Sequence, residues 1–224
     1  MGLLSDERWQ VFLDATIGGD EELLSLREQA EEDDVPIIRR ECEFFMNWLF
    51  GTIRPRRVLE IGTAIGYSSL YIWKVACRES CLITTIEMDE KRADQAEANF
   101  KKYGATEAIS LLRGDATLLL ADLKDQYDLI FLDAAKGQYI TMLPDIKRLL
   151  TEGGVLLCDN ILVENDTLRS RYALERRDRT IHKRMRQFLD EICRDKDLIT
   201  DILPIGDGIS VSTKCRTAAS GSQS

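Results

Sequence analysis

Two groups of residues in this 224-residue chain have types and spacings suited to chemistry. The first is Val58-Leu59-Glu60-Ile61-Gly62-Thr63-Ala64-Ile65-Gly66-Tyr67-Ser68-Ser69, an apolar run ending beside an acid, then two glycines four apart that open a helix. Glycines at such a turn let the backbone approach a ligand that a Cβ would exclude. Pyrophosphate-binding turns want G-x-G-x-x-G. Here the spacing is G-x-x-x-G with Glu60 ahead of it, and an acid there repels a pyrophosphate but suits a cationic sulfonium with its amino group. A nicotinamide dehydrogenase is disfavoured on the same ground. Ser68 adds a hydroxyl at the helix entrance. Glu87 ends the next apolar run, where an acid can accept both ribose hydroxyls of an adenosine. Gly114-Asp115-Ala116 follows the third run and can flank the adenine.

The second group is acidic. Asp133 ends the run Tyr127–Leu132, and Asp159-Asn160 end the run Gly153–Cys158. In open α/β sheets ligands sit at that carboxyl edge. Three hard oxygen donors without a histidine suit Mg²⁺, which prefers octahedral geometry and keeps sites for water or substrate. Lys136 follows Asp133 closely enough to serve the same place.

The elements that must carry these residues are legible as periodicity. The first 55 residues read as helices: one capped by Ser5, one starting at Asp20 through Leu23, Leu24 and Ala30, and one after Pro36 through Ile38, Cys42, Phe45, Met46 and Leu49 to Gly51. Strand-length runs then alternate with helical stretches: Val58–Ile61, Leu82–Ile86, Ala108–Leu112, Leu129–Leu132 and Val155–Cys158. Tyr103-Gly104 is a helix stop. Repeated β-then-α units imply a mostly parallel sheet with helices on both faces. After a helical stretch from about Asn165 to Arg194, Leu198–Leu203 and Gly208–Lys214 are too close for anything but a hairpin, so one edge strand is antiparallel. One α/β domain over residues 1–216 is expected, with a disordered tail at 217–224.

Apolar residues at 44% and charged residues at 31% are ordinary for a globular chain. No apolar run reaches the length of a membrane span, and Met1–Asp6 lack the regions of a secretory signal, so a cytosolic protein is expected. The six cysteines are scattered and there is one histidine, His182, which argues against a Cys/His zinc site and a disulfide framework. They are expected to be reduced and mostly buried. A net charge of -9 argues against general nucleic-acid binding. Yet Arg169, Arg171, Arg176, Arg177, Arg179, Lys183, Arg184 and Arg186 face only Glu175 and Asp178. Charge runs are usually solvated helix faces; here the scarcity of acids favours phosphate contacts, with His182 as an extra donor or merely solvated.

From about Leu24 to Lys214 the sequence resembles the metal-dependent O-methyltransferases of the catechol and caffeoyl-CoA type. The match rests on Val35-Pro36-Ile37-Ile38, Leu59-Glu60-Ile61-Gly62 with Gly66-Tyr67-Ser68-Ser69, Phe131-Leu132-Asp133 with Lys136 and Tyr139, and Gly154 with Asp159-Asn160. The resemblance implies a Rossmann-like class I fold with a seven-stranded sheet. It makes Asp133, Asp159 and Asn160 ligands of Mg²⁺, and Lys136 the general base beside Asp133. It places Val35, Glu60, Gly62, Ser68, Glu87, Ala116 and Asp133 around S-adenosylmethionine, to which Gly66 and Asp115 are added from the motif. It also implies a homodimer, with the N-terminal helices as its interface. Ala134-Ala135 departs from the catechol enzymes, so cofactor contacts there do not transfer. Metal chelation of two vicinal oxygens fits a catechol, and equally a uridine with a 5-hydroxyl beside its O4. With the basic segment, the chain is similar to the bacterial tRNA 5-hydroxyuridine methyltransferases, and tRNA is the expected substrate. The alternatives are a small-molecule catechol or caffeoyl-CoA-like methyltransferase and a non-enzymatic RNA-binding module.

Overall fold

The computed structural model describes residues 8, 11, 12, 15, 16, 21–76, 81–162, 167, 168, 175 and 179–216. The expected runs form seven strands: β1 (Arg57–Ile61), β2 (Leu82–Glu87), β3 (Ile109–Arg113), β4 (Tyr127–Leu132), β5 (Leu150–Cys158), β6 (Leu198–Leu203) and β7 (Ile209–Lys214). Their order in one sheet is β3-β2-β1-β4-β5-β7-β6. β1 pairs in parallel with β2 and β4, β2 with β3, and β4 with β5. β7 runs antiparallel to both of its neighbours. The mixed sheet is therefore as expected, with the reversed strand lying one place in from the edge strand β6.

Seven described helices surround the sheet: α1 (Glu21–Glu32), α2 (Arg40–Ile53), α3 (Tyr67–Ala76), α4 (Glu90–Lys102), α5 (Ala116–Asp122), α6 (Tyr139–Leu149) and α7 (Arg179–Arg194). Strand alternation sends Val58, Ile83, Leu129, Phe131 and Leu157 into one core, with Leu23, Met46, Leu70 and Phe100 from helices. The opposite residues Leu59, Ile61, Ile130, Leu132 and Leu156 enter a second core with Tyr139, Met185 and Phe188. Each such fully buried side chain contributes about 1.5–3 kcal/mol. Asp89 caps α4 by accepting from Arg92 N at 2.9 Å, and Gly104 leaves it at φ 72°.

Three expectations need correction. The third helix begins at Arg40, not before Ile38: Val35 to Arg39 form no regular structure, Arg39 being extended, and a residue ahead of proline disfavours helix. The basic helix is not continuous from Asn165, since Thr167 and Leu168 form a 3₁₀ turn and Glu175 is irregular. Its inward stripe of His182, Met185, Phe188 and Ile192 starts only inside α7, so burial supports a helix from there on. The cysteines are not all reduced: Cys81 is disulfide-bonded. Cys193 is exposed, whereas Cys42 and Cys158 are buried free thiols. The caps at Ser5 and Asp20 and the tail also fall outside the described residues. No described helix is long and apolar enough to cross a membrane.

Candidate active site

The chain order reverses between β1 and β4, which opens a crevice beyond their carboxyl ends. A cavity of about 410 Å³ lies there, within the usual range for small ligands. Of the expected residues, Gly62, Ser68, Glu87, Asp115, Ala116, Asp133, Lys136 and Asn160 line it.

Glu87 is nearly buried and held by backbone donors. Its Oε2 accepts from Ala64 N at 2.8 Å, and its Oε1 accepts from Met88 N at 2.9 Å and Asp89 N at 2.8 Å. Of roughly four acceptor positions on a carboxylate, about one is left for a ligand hydroxyl. Asp115 caps α5, accepting from Thr117 N at 2.8 Å and Thr117 Oγ1 at 2.7 Å.

The glycines serve the protein before any ligand. A Cβ on Gly62 (φ 104°) would lie 2.0 Å from the Asp133 carbonyl oxygen, and one on Gly66 (φ 84°) 2.5 Å from the Phe100 ring. The turn is thus wedged between β4 and α4. Glu60 also departs from expectation. Strand alternation turns it onto the sheet face under α3, where its Oε2 accepts from Ser69 and, at 2.5 Å, from Thr85. It is fully buried, its Oε1 has no hydrogen-bond partner among the described residues, and burial pushes its carboxyl up to about 7. Glu60 supports the turn from beneath and is not on the cavity wall. Val35 packs half-buried on the core, while Pro36, Ile37 and Ile38 form the wall in its place.

Asp133 and Asp159 continue β4 and β5: Asp133 N donates to Ile61 O and Asp159 N to Leu132 O, both at 3.0 Å. Burial, then repulsion by Asp133, raises Asp159 to about 7. Asp133 is raised by burial too, against the pull of Asn160 and of the Lys136 ammonium. Asn160, at φ 58°, donates Nδ2 to Asp133 Oδ1 at 3.0 Å. Among the described residues no three His, Cys, Asp or Glu side chains are grouped for a metal. Two repelling carboxylates nevertheless fit a small divalent cation, with the Asn160 amide, turned over, as a third hard oxygen. Asp159 is buried behind the wall with the Cys42 thiol against it, and the charge of Asp207 reaches both acids. Cys42 and Asp207 had no signal in the sequence, because their place is set by packing alone.

Lys136 opens a 3₁₀ turn, Lys136–Gln138, that borders the cavity. Arg184 from α7 donates to Gly137 O of that turn at 3.1 Å, which sets the start of α7 beside the site. Lys183, Arg184 and Arg186 are exposed and Arg179 is half-buried. His182 is buried on the inner face of α7, so it is neither solvated nor part of a surface patch. Arg169, Arg171, Arg176 and Arg177 lie outside the described residues.

An O-methyltransferase family model matches residues 19–215. O-methyltransferase hkm8 of Aspergillus hancockii is 31% identical over 144 residues, 62% of this chain and 57% of that protein. A catechol O-methyltransferase of Mycobacterium tuberculosis is 31% identical over 155 residues, 67% of this chain and 70% of that one. The SAH-bound crystal structure of methyltransferase PaMTH1 from Podospora anserina superposes with a TM-score of 0.85 at 25% identity, covering 96% of this chain and 97% of that one. With the sheet order and crevice in agreement, the chain belongs to the O-methyltransferase family, as an S-adenosylmethionine-dependent O-methyltransferase.

Proposed function

We propose that the acceptor is a hydroxyl with a vicinal oxygen, as in a small catechol, and that a divalent cation such as Mg²⁺ assists the transfer. The observation that carries this reading is the set of Asp133, Asp159 and Asn160 at adjoining strand ends, with Asp133 and Asn160 on a cavity shared with Glu87 and the glycine turn and Asp159 buried just behind its wall. Those three residues would hold the cation, which would supply the Lewis acidity that makes the hydroxyl easier to deprotonate. Lys136, in its neutral form, receives that proton at Nζ. The phenolate oxygen then forms a bond to the methyl carbon as the carbon–sulfur bond breaks, and the thioether leaves with the electron pair. Glu87 and the turn fix the donor, and Pro36 to Ile38 give the acceptor an apolar wall, so that alignment supplies much of the rate. The test is methyl transfer to catechol followed by mass spectrometry, with chelator and then with Mg²⁺ restored. Full turnover in excess chelator would remove the cation from this reading.

One observation favours a second acceptor, a tRNA 5-hydroxyuridine with its neighbouring O4. Exposed Lys183, Arg184 and Arg186 stand on a helix joined to the Lys136 turn, where they would meet phosphates. Nucleoside mass spectrometry of tRNA from cells lacking the protein tests it: unchanged 5-methoxyuridine leaves the small catechol.

A further inference from the structure

The N-terminal helices carry a buried charge cluster that reaches the cavity. Glu43 on α2 is 1% exposed yet meets two guanidinium groups and a phenol. Arg27 from α1 pairs closely with its Oε1, to which the Tyr67 hydroxyl also donates at 2.7 Å. Arg40 donates to Oε2 at 2.6 Å and lies over the Phe44 ring. Tyr71 donates its hydroxyl to the Glu43 backbone oxygen at 2.8 Å. Replacing such a cluster by apolar packing is often neutral or stabilising, so stability alone is a weak reason for it.

What Arg27 holds is more telling. Its Nη2 donates to Ile38 O at 2.9 Å, and its Nε donates to the Tyr67 hydroxyl at 3.2 Å. Ile38 and Tyr67 both line the cavity, Tyr67 as the first residue of α3 after the glycine turn and Ile38 from the irregular stretch before α2. One guanidinium therefore ties together two wall segments that approach from different elements. A planar fork of five donors can do this, whereas an ammonium on a flexible stem cannot reproduce the geometry. Burial, then the Glu43 charge, pushes the Tyr67 phenol up, so it keeps its proton and remains a donor.

We propose that Arg27 and Glu43 are positioning residues for methyl transfer: through Tyr67 and Ile38 they set the spacing of the cavity walls, and so the affinity for the methyl donor. The N-terminal helices are then part of the site and not only a cover for the core.

Calorimetric titration with S-adenosylhomocysteine separates this from plain packing. Tyr67→Phe removes only the hydroxyl, and Arg27→Lys keeps the charge but loses the fork. Each is expected to raise the Kd about five- to tenfold, the equivalent of one hydrogen bond. KM for S-adenosylmethionine should rise with them while kcat moves little. Arg40→Lys disturbs the other ion pair of the same carboxylate but leaves the contacts of Arg27, so its Kd should stay within about twofold even if its melting temperature falls by about 2–4 °C. An unaltered Kd in Tyr67→Phe overturns the proposal, as does an Arg40→Lys loss equal to that of Arg27→Lys.

Discussion

At one end of the cavity Glu87 accepts three backbone N–H groups and Asp115 caps a helix. At the other, Asp133 meets one amide and one ammonium, and Asp159, buried behind the wall at the next strand end, is repelled by its charge. The acids differ little in chemistry; their surroundings differ. Backbone donors fix a carboxylate as an orienting acceptor and leave it about one further bond to give. Two desolvated carboxylates left in mutual repulsion are costly unless a cation joins them. The first end is built for holding; on the proposed reading, a cation would complete the second.

The largest effect should come from unbalancing the second end. Asp133→Ala is expected to lower methyl transfer about a thousandfold or more, several kcal/mol of lost transition-state stabilisation. Circular dichroism should remain native, since the residue ends a strand and its loss opens no core cavity. Measurable catechol turnover near the wild-type rate would contradict the contrast between the two ends. At the first end, Glu87→Ala should weaken S-adenosylhomocysteine binding by about 1.5–3 kcal/mol, as expected for a charge-assisted hydrogen bond. Part of that loss would come from freeing the turn at Ala64, which Glu87 holds. Calorimetry giving equal affinities would mean that Glu87 serves the turn alone.

Glu60, beneath that turn, sharpens the comparison through pH. Its carboxyl goes from an ordinary 4.5 to about 7 on burial, so the folded state binds the proton more tightly than the unfolded chain does. The resulting stabilisation is full below about 4.5 and is lost as the pH rises through about 7, a change of about 3 kcal/mol. Asp159 and Asp133 shift in the same direction. A variant is therefore needed to isolate the Glu60 share. Between pH 4.5 and 8, urea-unfolding free energies of wild type and Glu60→Gln should converge or cross by about that amount. Parallel curves would show that Glu60 stays ionised in the folded protein.

Much of the scaffold could be read from the sequence because strands with both faces buried leave continuous apolar runs. The carboxyl ends carrying Glu87, Asp133 and Asp159 were placed correctly for that reason. β5 began earlier than its apolar run: Leu150 pairs with Tyr127, then the register shifts before Leu129 opposite Val155, around the exposed Glu152-Gly153. The turn glycines were legible as a need but not as a cause, since Asp133 and Phe100, which exclude a Cβ, come from distant segments. Glu60 was assigned to the ligand because an acid near a strand end resembles a contact, yet period-two alternation sends it under the helix. Arg27 and Glu43 had no local signature at all. Their partners are fixed only when helices, turn and sheet assemble.

The smallest effects are expected outside the cavity, on α7, where the two acceptors part company. Lys183, Arg184 and Arg186 are exposed and none of them lines the cavity, so a small catechol has no use for them. Replacing all three by Ala should change catechol turnover by less than about twofold, because surface substitutions away from special features cost about 0.5 kcal/mol or less. Arg184 adds a small perturbation through its bond to Gly137 O. If the acceptor is tRNA, each lost phosphate contact should flatten the dependence of log K on log salt by roughly 0.7–0.9. The triple variant would then lose a slope of about 2–3 and bind tRNA more weakly at every salt concentration. The paired measurement is methyl transfer to hypomodified tRNA and to catechol at several ionic strengths. Equal losses on both acceptors would assign the cations to the support of the Lys136 turn. An unchanged salt slope on tRNA would leave the basic helix a solvated face, and the vicinal oxygens would be those of a small phenol.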